Sequence, residues 1–260
     1  MKARILLVII IFLLFGGCTS EDSYTPNAPP QVIADIAYDV NESHGYTVYI
    51  KENDEYVPYL VLTNDYGGNC LLLRKYVLDE PMAYNDKDKY KGSYYENCFV
   101  DTYLNSEFIN SFSDSLKNSI ILTDIEITAI ESIDRVGKKT TYISRKLFLL
   151  SYGEITGVYS LRSTLPEGKQ LLFFTTKENR IAYDIDNNAQ EYFIRTPFLG
   201  SRTAFSYIDS GGGSKASTIL SMRYGEIYNK CYVRPAFCIS NNTVIHPKET
   251  EDNQIIYIIQ

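Results

Sequence analysis

The chain has 260 residues, of which 45% are hydrophobic, and this is enough for a packed core in one large domain or two small ones. Its 32 acidic and 25 basic residues give a formal net charge of −7. Because contacts to phosphate depend on clustered Lys and Arg, this composition disfavours a nucleic acid partner. The chain has only two histidines, and its cysteines show no C-x-x-C pattern, so the sequence predicts no zinc site and no other cofactor.

The N-terminal residues predict an exported, lipid-anchored protein. The basic start MKAR is followed by the apolar run 5–15 and by GGC, which ends at Cys18. A basic start, a short apolar region and small residues before a cleavage site are typical of a secretory signal. The run is shorter than the about 20 apolar residues that a membrane span needs. The segment resembles the bacterial lipobox, which implies a signal peptide over residues 1–17 and a lipid on Cys18. An ordinary signal peptide is the alternative.

Residues 18–31 predict a flexible tether, because the segment after the cysteine is polar and contains three prolines. We expect a single domain over residues 32–260, held in the cell envelope outside the cytoplasmic membrane. Residues 1–17 contain two basic residues, so the remaining chain has 23 basic against 32 acidic residues. Anionic lipid should repel such a domain, and the lipid on Cys18 would be its attachment to the membrane.

The first part of the domain predicts three strands. Residues 46–50 and 56–62 are rich in Tyr and β-branched residues, and the polar sequence KENDE separates them, as in a hairpin. The turn residues 64–68 (NDYGG) then precede a third apolar run at 70–73. Residues 79–95 show no hydrophobic periodicity and are predicted to form a loop.

A helical pattern covers residues 101–121, where apolar residues recur every four positions and so form one face of a helix. Asp101 is the predicted N-cap, and residues 113–115 (SDS) predict the start of a second helix, because Ser and Asp favour helix ends. We expect the apolar face to pack against a sheet. Its residues are Val100, Leu104, Phe108, Phe112, Leu116 and Ile120.

The second half of the domain predicts more strands, with the strongest turn at residues 209–213 (DSGGG). Strands, then helices, then strands are the order of an α+β domain with a twisted antiparallel sheet, two helices and long loops. The predicted strands are 190–196, 204–209, 219–222 and 231–239.

Familiar catalytic and metal motifs do not fit the chain. The segment 211–215 (GGGSK) lacks the glycine spacing of a P-loop and is predicted to form a hairpin loop. A Ser–His–Asp triad would need His44 or His246, which are expected to be solvated, and no G-x-S-x-G is present. The sequence predicts no metal site, although a weak calcium site in the DIDN loop, residues 184–187, stays an alternative to a plain loop.

Four cysteines remain in the domain once Cys18 is assigned to the lipid: Cys70, Cys98, Cys231 and Cys238. Four cysteines allow three complete sets of disulfides, and an oxidising exterior would permit them. Buried free thiols that pack as small hydrophobic groups are the alternative.

Arg195 and Arg234 each lie within an apolar, strand-like run. A buried Arg has to be paired and hydrogen-bonded, so a salt bridge to an Asp or Glu within the sheet is the first interpretation. The second places the guanidinium at the floor of a ligand groove, where its donors would bind a carboxylate or a sugar. In that case Tyr207 and Asp209 would lie beside Arg195, and the four residues would form a ligand-binding site.

Several segments resemble, in this order, a bacterial family of extracellular domains that lipoproteins often carry. A closing VRPAF strand after an R-T-P strand is its most recognisable mark. These domains resemble distant members of the C-type-lectin-like group, alongside the sulfatase-modifying enzymes, which implies a compact α+β domain whose long loops carry binding. The matching segments are YVPYLVLTND (56–65), CLLLRKYVLDE (70–80), SYYENCFVDTYLNSEFINSFS (93–113), KLFLLSYGE (146–154), FIRTPF (193–198) and YVRPAFCIS (232–240).

The resemblance does not imply an activity. The enzymes of that group use two reactive cysteines that bind copper, for which Cys231 and Cys238 are the candidates here. On one continuous strand their separation of seven residues would put them on opposite faces. The chain also has no Trp and lacks the sugar-binding triplet of the calcium-dependent lectins.

Together these features predict a surface-anchored, non-catalytic module that binds a glycan or a protein partner. A structural cell-envelope protein without a small-ligand site is the first alternative. An envelope enzyme that acts on polysaccharide through carboxylates is the second. A cleft with convergent carboxylates would favour the enzyme, and a shallow groove with Tyr and Arg would favour the binding module.

Overall fold

The structure is a computed structural model of the chain. The signal peptide predicted over 1–17, the lipid site Cys18, His44 and the predicted strand 219–222 lie outside the residues that it describes. None of the helices in the described part is both long and apolar enough to span a membrane. The described residues are 29–40, 45–85, 93–134, 138–157, 164–200, 204–218 and 230–260.

Strands predominate over helices in the described residues, and the predicted α+β class is confirmed. The strands are β1 Thr47–Glu52, β2 Glu55–Tyr66, β3 Asn69–Arg74, β4 Met82–Ala83, β5 Thr123–Thr128, β6 Thr140–Arg145, β7 Leu147–Phe148, β8 Ala182–Tyr183, β9 Ala189–Gln190, β10 Tyr192–Pro197, β11 Ala204–Ile208, β12 Ser214–Thr218, β13 Lys230–Cys231, β14 Ala236–Ile239, β15 His246–Glu249 and β16 Ile255–Ile258.

Four short α-helices are present in the described residues, where two were predicted. They are α1 Phe99–Ser106, α2 Asp114–Ser119, α3 Ile130–Ile133 and α4 Tyr152–Thr156. The 3-10 helices are Ile33–Ile36, Phe108–Ser111, Leu172–Thr175 and Glu178–Arg180.

The largest sheet has seven strands in the order β15–β16–β1–β2–β3–β14–β7. Its pairs are antiparallel except for β1 and β16, which are parallel. The last described strand, β16, therefore lies beside the first hairpin. The predicted sheet was wholly antiparallel, and this one parallel pair corrects it. β15 and β16 have mostly exposed residues without alternation, so the sequence contains no clear signal for them.

The predicted hairpin at the start of the domain is confirmed. β1 and β2 pair antiparallel from Thr47 opposite Leu60 to Glu52 opposite Glu55. Asn53 and Asp54 form the two-residue turn with φ of 47° and 71°. Both residue types tolerate this left-handed region, which two-residue hairpin turns of matching twist require.

The predicted helix over 101–121 is divided into α1, a 3-10 turn and α2. Its N-cap is Cys98 and not Asp101: the Cys98 Sγ atom accepts a hydrogen bond from the Asp101 backbone N–H at 3.4 Å. Asp101 is buried and pairs with Arg145 at 2.8 Å. The predicted restart is confirmed, because the Ser113 side chain caps α2 by accepting from the Leu116 N–H at 3.2 Å.

The apolar face of this region packs on the large sheet, as predicted. Phe108 is only 8% exposed and its ring lies 5.5 Å from that of Phe112. The Phe112 ring in turn lies 6.4 Å from Tyr59 of β2 and 5.7 Å from Phe237 of β14.

The strand predicted over 231–239 is wrong, because two strands of different sheets occupy this range. β13 pairs with β4, whereas β14 lies in the seven-stranded sheet. Pro235 separates them and has no backbone N–H for a sheet ladder. The argument about cysteine faces on one continuous strand therefore does not hold for Cys231 and Cys238.

The four cysteines of the domain are buried free thiols, so the alternative to disulfides is the one observed. Cys70 lies opposite Ile239 and Cys238 opposite Leu71 on the neighbouring strands β3 and β14. Because adjacent residues of a strand point to opposite faces, the two sulfurs lie on different sides of the sheet.

Candidate functional site

A buried ion pair between Arg195 and Glu154 lies at the centre of the candidate site. The Arg195 Nη1 atom donates to Glu154 Oε2 and its Nη2 atom to Glu154 Oε1, each at 2.8 Å. This is the two-pronged geometry that suits a guanidinium and a carboxylate. Both side chains are almost fully buried. Arg195 was predicted to pair with a carboxylate, and this prediction is confirmed.

The capping box of α4 positions the Glu154 carboxylate. Ser151 Oγ accepts from the Glu154 backbone N–H at 3.0 Å, and Glu154 Oε2 accepts from the Ser151 N–H at 2.8 Å. This reciprocal S-x-x-E pattern satisfies two free donors at the start of the helix. The same carboxylate oxygen thus serves both the helix cap and Arg195.

The remaining donors of Arg195 bind backbone carbonyls. Its Nε atom donates to the Glu126 carbonyl of β5 at 2.9 Å, and Nη1 donates to the Leu149 carbonyl at 2.9 Å. Burial alone would lower the pKa of Arg195, but the Glu154 carboxylate outweighs it and raises the pKa. Arg195 therefore stays charged and joins β10, β5 and α4.

Tyr66, at the end of β2, completes this centre from the seven-stranded sheet. Its hydroxyl donates to Glu154 Oε1 at 2.6 Å, and its ring stacks on Phe148 at 5.8 Å. Burial, with the nearby Glu154 carboxylate, raises the pKa of Tyr66 well above its ordinary value. The hydroxyl therefore remains a donor.

A second buried carboxyl, Glu167, lies beside this centre. Its Oε1 atom accepts from the backbone N–H and the hydroxyl of Thr128, both at 2.6 Å, and its Oε2 atom accepts from the Thr196 hydroxyl at 2.5 Å. The Ser151 hydroxyl donates to the Glu167 carbonyl. Burial raises the pKa of Glu167, although Arg195 and these donors oppose the shift.

An acidic pocket of about 480 Å³ opens above the Arg195–Glu154 pair. Its lining includes the carboxylates of Asp39, Asp65, Asp124, Glu126 and Glu154, against the cations Lys169 and Arg195, a formal excess of three negative charges. The rim residues Asp39, Asp65 and Asp124 are exposed. We use the name acidic pocket for this cavity.

Short hydrogen bonds hold several of these carboxylates. Asp124 accepts from the Ser144 hydroxyl at 2.5 Å, and Glu126 accepts from the Thr140 hydroxyl at 2.5 Å, both across the β5–β6 pair. Asp39 accepts from the Thr63 hydroxyl at 2.5 Å. The carboxylates are thus oriented by neighbouring strands, but keep further lone pairs for a ligand.

Gly168 allows the backbone to approach two of the pocket carboxylates. Its N–H donates to Glu126 Oε2 at 3.0 Å, and its φ is +77°. A Cβ atom at this position would lie 2.9 Å from Glu154 Oε1. A residue with a side chain would be strained here and would also crowd the ion pair.

The four residues predicted to bind a ligand do not come together around this pocket. Of them, only Arg195 is among the lining residues described for it. Tyr207 is on β11 and lies opposite Phe193 of β10. Asp209 closes the predicted glycine turn, where its Oδ1 atom accepts from the N–H groups of Gly211 at 3.0 Å and Gly213 at 2.8 Å.

Arg234 is buried without a carboxylate partner among the described residues, so its predicted ion pair is wrong. Its Nε and Nη2 atoms donate to the carbonyls of Arg74 at 2.9 Å and Lys75 at 3.2 Å. Its guanidinium lies 5.6 Å from the centre of the Tyr192 ring. Backbone carbonyls and a ring face replace the expected carboxylate, and burial lowers the pKa of Arg234.

The next residues to consider are those that could bind a metal ion or react as thiolates in the described part of the chain. There, no three His, Cys, Asp or Glu side chains form a group that could hold a metal ion. The Asp184 carboxylate of the proposed calcium loop accepts from Asn188 at 2.8 Å and Gln190 at 2.7 Å. Burial raises the pKa of Cys238 to about 12 and that of Cys231 further, which disfavours the thiolates that a copper site needs.

The sequence arguments missed Glu154, Glu167 and the pair Asp124 and Glu126. A signal for Glu154 was present, because Ser151 and Glu154 form a capping-box pattern. A signal for Asp124 and Glu126 was also present, because the alternation of residues 123–128 places both on one face of β5. Glu167 has no local signal, because its partners are distant in sequence.

We predict that Glu167 makes the stability of the domain fall as pH rises. A carboxyl with a raised pKa in the folded state contributes stability below its unfolded pKa of about 4.3 and loses it as pH rises through the folded pKa. Glu167→Gln should therefore gain stability relative to wild type with increasing pH, by at most about 1.4 kcal/mol per pH unit. Urea unfolding from pH 3.5 to 7 measures this difference.

The exposed residue Glu178 provides the control. Glu178→Gln should follow the wild-type profile, because water solvates that carboxyl in both states. A wild-type protein that gains stability relative to Glu167→Gln as pH rises would contradict the account of Glu167.

Comparison with known proteins gives one match. A family described as a domain of unknown function (DUF6273) matches residues 67–241, which include β5, β6 and β10 of the acidic pocket and all of α1 to α4, but not β2. Neither the curated proteins nor the solved structures compared with the chain gave a match. The family match covers 175 of 260 residues, and the chain therefore belongs to the DUF6273 family.

Proposed function

We propose that the protein is a membrane-anchored, non-catalytic module that binds a glycan in the acidic pocket. The observation that carries this proposal is the set of oriented carboxylates around the exposed ring of Tyr142. Sugar hydroxyls donate hydrogen bonds that ionised carboxylates accept strongly. Tyr142 is 67% exposed and offers an apolar ring face for a sugar.

The size and rigidity of the pocket support a small ligand. Its volume of about 480 Å³ lies in the range of small-molecule sites. The buried bonds of Arg195, Glu154 and Tyr66 fix the floor before a ligand arrives, so little conformational entropy is lost on binding. A protein partner would instead need about 800 Å² on each side, which a pocket of this size does not supply by itself.

A carboxylate-dependent polysaccharide hydrolase is the second candidate, because Asp124 and Glu126 face one cavity. Two residues apart on a strand, their Cα atoms are separated by about 7 Å, and paired carboxylates perform glycoside hydrolysis. Glu167, whose pKa burial raises, is not among the described lining residues and is bound by Thr128 and Thr196. This arrangement favours binding over acid catalysis. The hydrolase would be favoured if the wild-type protein released reducing ends from a polysaccharide and Glu126→Gln did not.

The attachment and the finer fold class belong to the same proposal. The lipobox-like start supports a lipid on Cys18 that holds the domain outside the cytoplasmic membrane. The resemblance to C-type-lectin-like domains supports binding on surface segments. The acidic pocket lies where β2, β5, β6 and the segment 168–172 meet. Function still rests on the site, because a fold does not determine an activity.

Tyr142→Ala should weaken glycan binding about fivefold, because an aromatic contact contributes about 1 kcal/mol. The measurement is a glycan array with the full-length protein, followed by titration calorimetry with the best oligosaccharide. Tyr183→Ala is the matched control, because Tyr183 is 39% exposed and lies outside the acidic pocket. Equal losses in both variants, or none in Tyr142→Ala, would contradict the assignment of the pocket.

Cys18→Ala should abolish lipidation and leave the signal peptide attached. Metabolic labelling with a fatty-acid probe, followed by mass measurement, tests this in cells that express the full chain. Cys231→Ala, which removes a buried thiol, should keep the label. Equal labelling of wild type and Cys18→Ala would show that the proposed anchor is wrong.

A further inference from the structure

A second cavity adjoins the acidic pocket and extends it into a groove. This cavity has a volume of about 550 Å³, and its lining includes Tyr38, Val40, Tyr46 and Leu172. Asp39 and Leu172 line both cavities, so the two are neighbours. We call the second one the aromatic cavity.

The aromatic cavity presents apolar surface on a rigid base. Val40 is 57% exposed and Leu172 is 55% exposed. In the same lining, the rings of Tyr38 and Tyr46 lie 5.1 Å apart, and each packs edge-on against the buried Phe173, at 5.1 and 5.6 Å. Interlocked rings of this kind hold their geometry, so the surface is available without rearrangement. Exposed apolar side chains beside a pocket are a common feature of binding sites.

The two cavities differ in charge. The acidic pocket has five carboxylates against two cations, and Arg195 is already neutralised by Glu154. In the lining described for the aromatic cavity, Asp39 is the one charged residue. The groove therefore runs from a strongly negative end, past Asp39, to an apolar end. A ligand that fits both ends carries positive charge at one end and an apolar face at the other.

We propose that this groove binds an oligosaccharide of two or more units with a protonated amine on the unit in the acidic pocket. The next sugar ring would pack its C–H face on Leu172 and the Tyr38–Tyr46 pair. An ammonium group has three donors for the rim carboxylates, and bonds between charged groups are about twice as strong as neutral ones. This inference rests on the proposed glycan function and specifies its ligand class.

A matched series of sugars tests the charge and the length separately. Titration calorimetry of the full-length protein at about pH 6, where carboxylates are ionised and amines protonated, would compare glucosamine oligomers of one to four units with their N-acetylated counterparts. We expect the glucosamine trimer to bind about tenfold more tightly than the N-acetylated trimer. This preference should shrink as salt is raised, because salt screens exposed charges.

Two pairs of variants locate the ends of the groove. Val40→Ser, at a residue that lines the aromatic cavity and not the acidic pocket, should weaken binding of the trimer severalfold and leave binding of the monomer unchanged. Ile185→Ser, at a residue 69% exposed outside both cavities, should change neither. Asp124→Asn should reduce the preference for the amine, whereas Asp252→Asn, at an exposed turn outside both cavities, should keep it.

Each failure has a distinct meaning. Equal binding of amine and N-acetylated oligomers would overturn the cationic ligand class and leave the proposed glycan function intact. A monomer that binds as tightly as the trimer would overturn the role of the aromatic cavity. Binding of a lysine-rich peptide, with no oligosaccharide of either series bound, would overturn both this inference and the proposed glycan function.

Discussion

The buried ion pair between Arg195 and Glu154 is the interaction on which the candidate site depends. Arg195 bonds to the carboxylate on α4 and to the backbone of β5, while Tyr66 brings the seven-stranded sheet to the same carboxylate. A buried pair is costly to desolvate, so it need not add much net stability. Its bonds join β10, α4 and β5 at one point, and Tyr66 links the seven-stranded sheet to them.

This constraint explains how a pocket with an excess of negative charge can be preformed. The carboxylate at the floor is neutralised by Arg195. The carboxylates of Asp124 and Glu126 in the wall lie on β5 and accept hydrogen bonds from hydroxyls of the facing strand β6. The repulsion among these carboxylates is reduced by exposure to water at the rim. A ligand that replaces water there with hydroxyl or ammonium donors gains hydrogen bonds without any rearrangement of the floor, which is the property expected of a binding module.

Local features were predictable from sequence and distant partnerships were not. The first hairpin and the helix start at Ser113 depend on neighbouring residues, so alternation and capping reveal them. Arg195 was identified because a charge in an apolar run requires a partner. That partner is 41 residues away, and the carbonyls that serve Arg234 are about 160 residues away, so no sequence pattern distinguishes the two arginines. The parallel strand β16 was missed for the same reason.

A double-mutant cycle on Arg195 and Glu154 tests the central claim most directly. The cycle measures the unfolding free energies of Arg195→Met, Glu154→Gln and the double variant by urea denaturation. Each single change leaves a buried charge without its partner, so each should cost about 3–5 kcal/mol. The double variant should cost less than the sum of the two by at least about 2 kcal/mol, because residues in direct contact are coupled. Additive costs, within about 0.5 kcal/mol, would show that the pair does not organise the site.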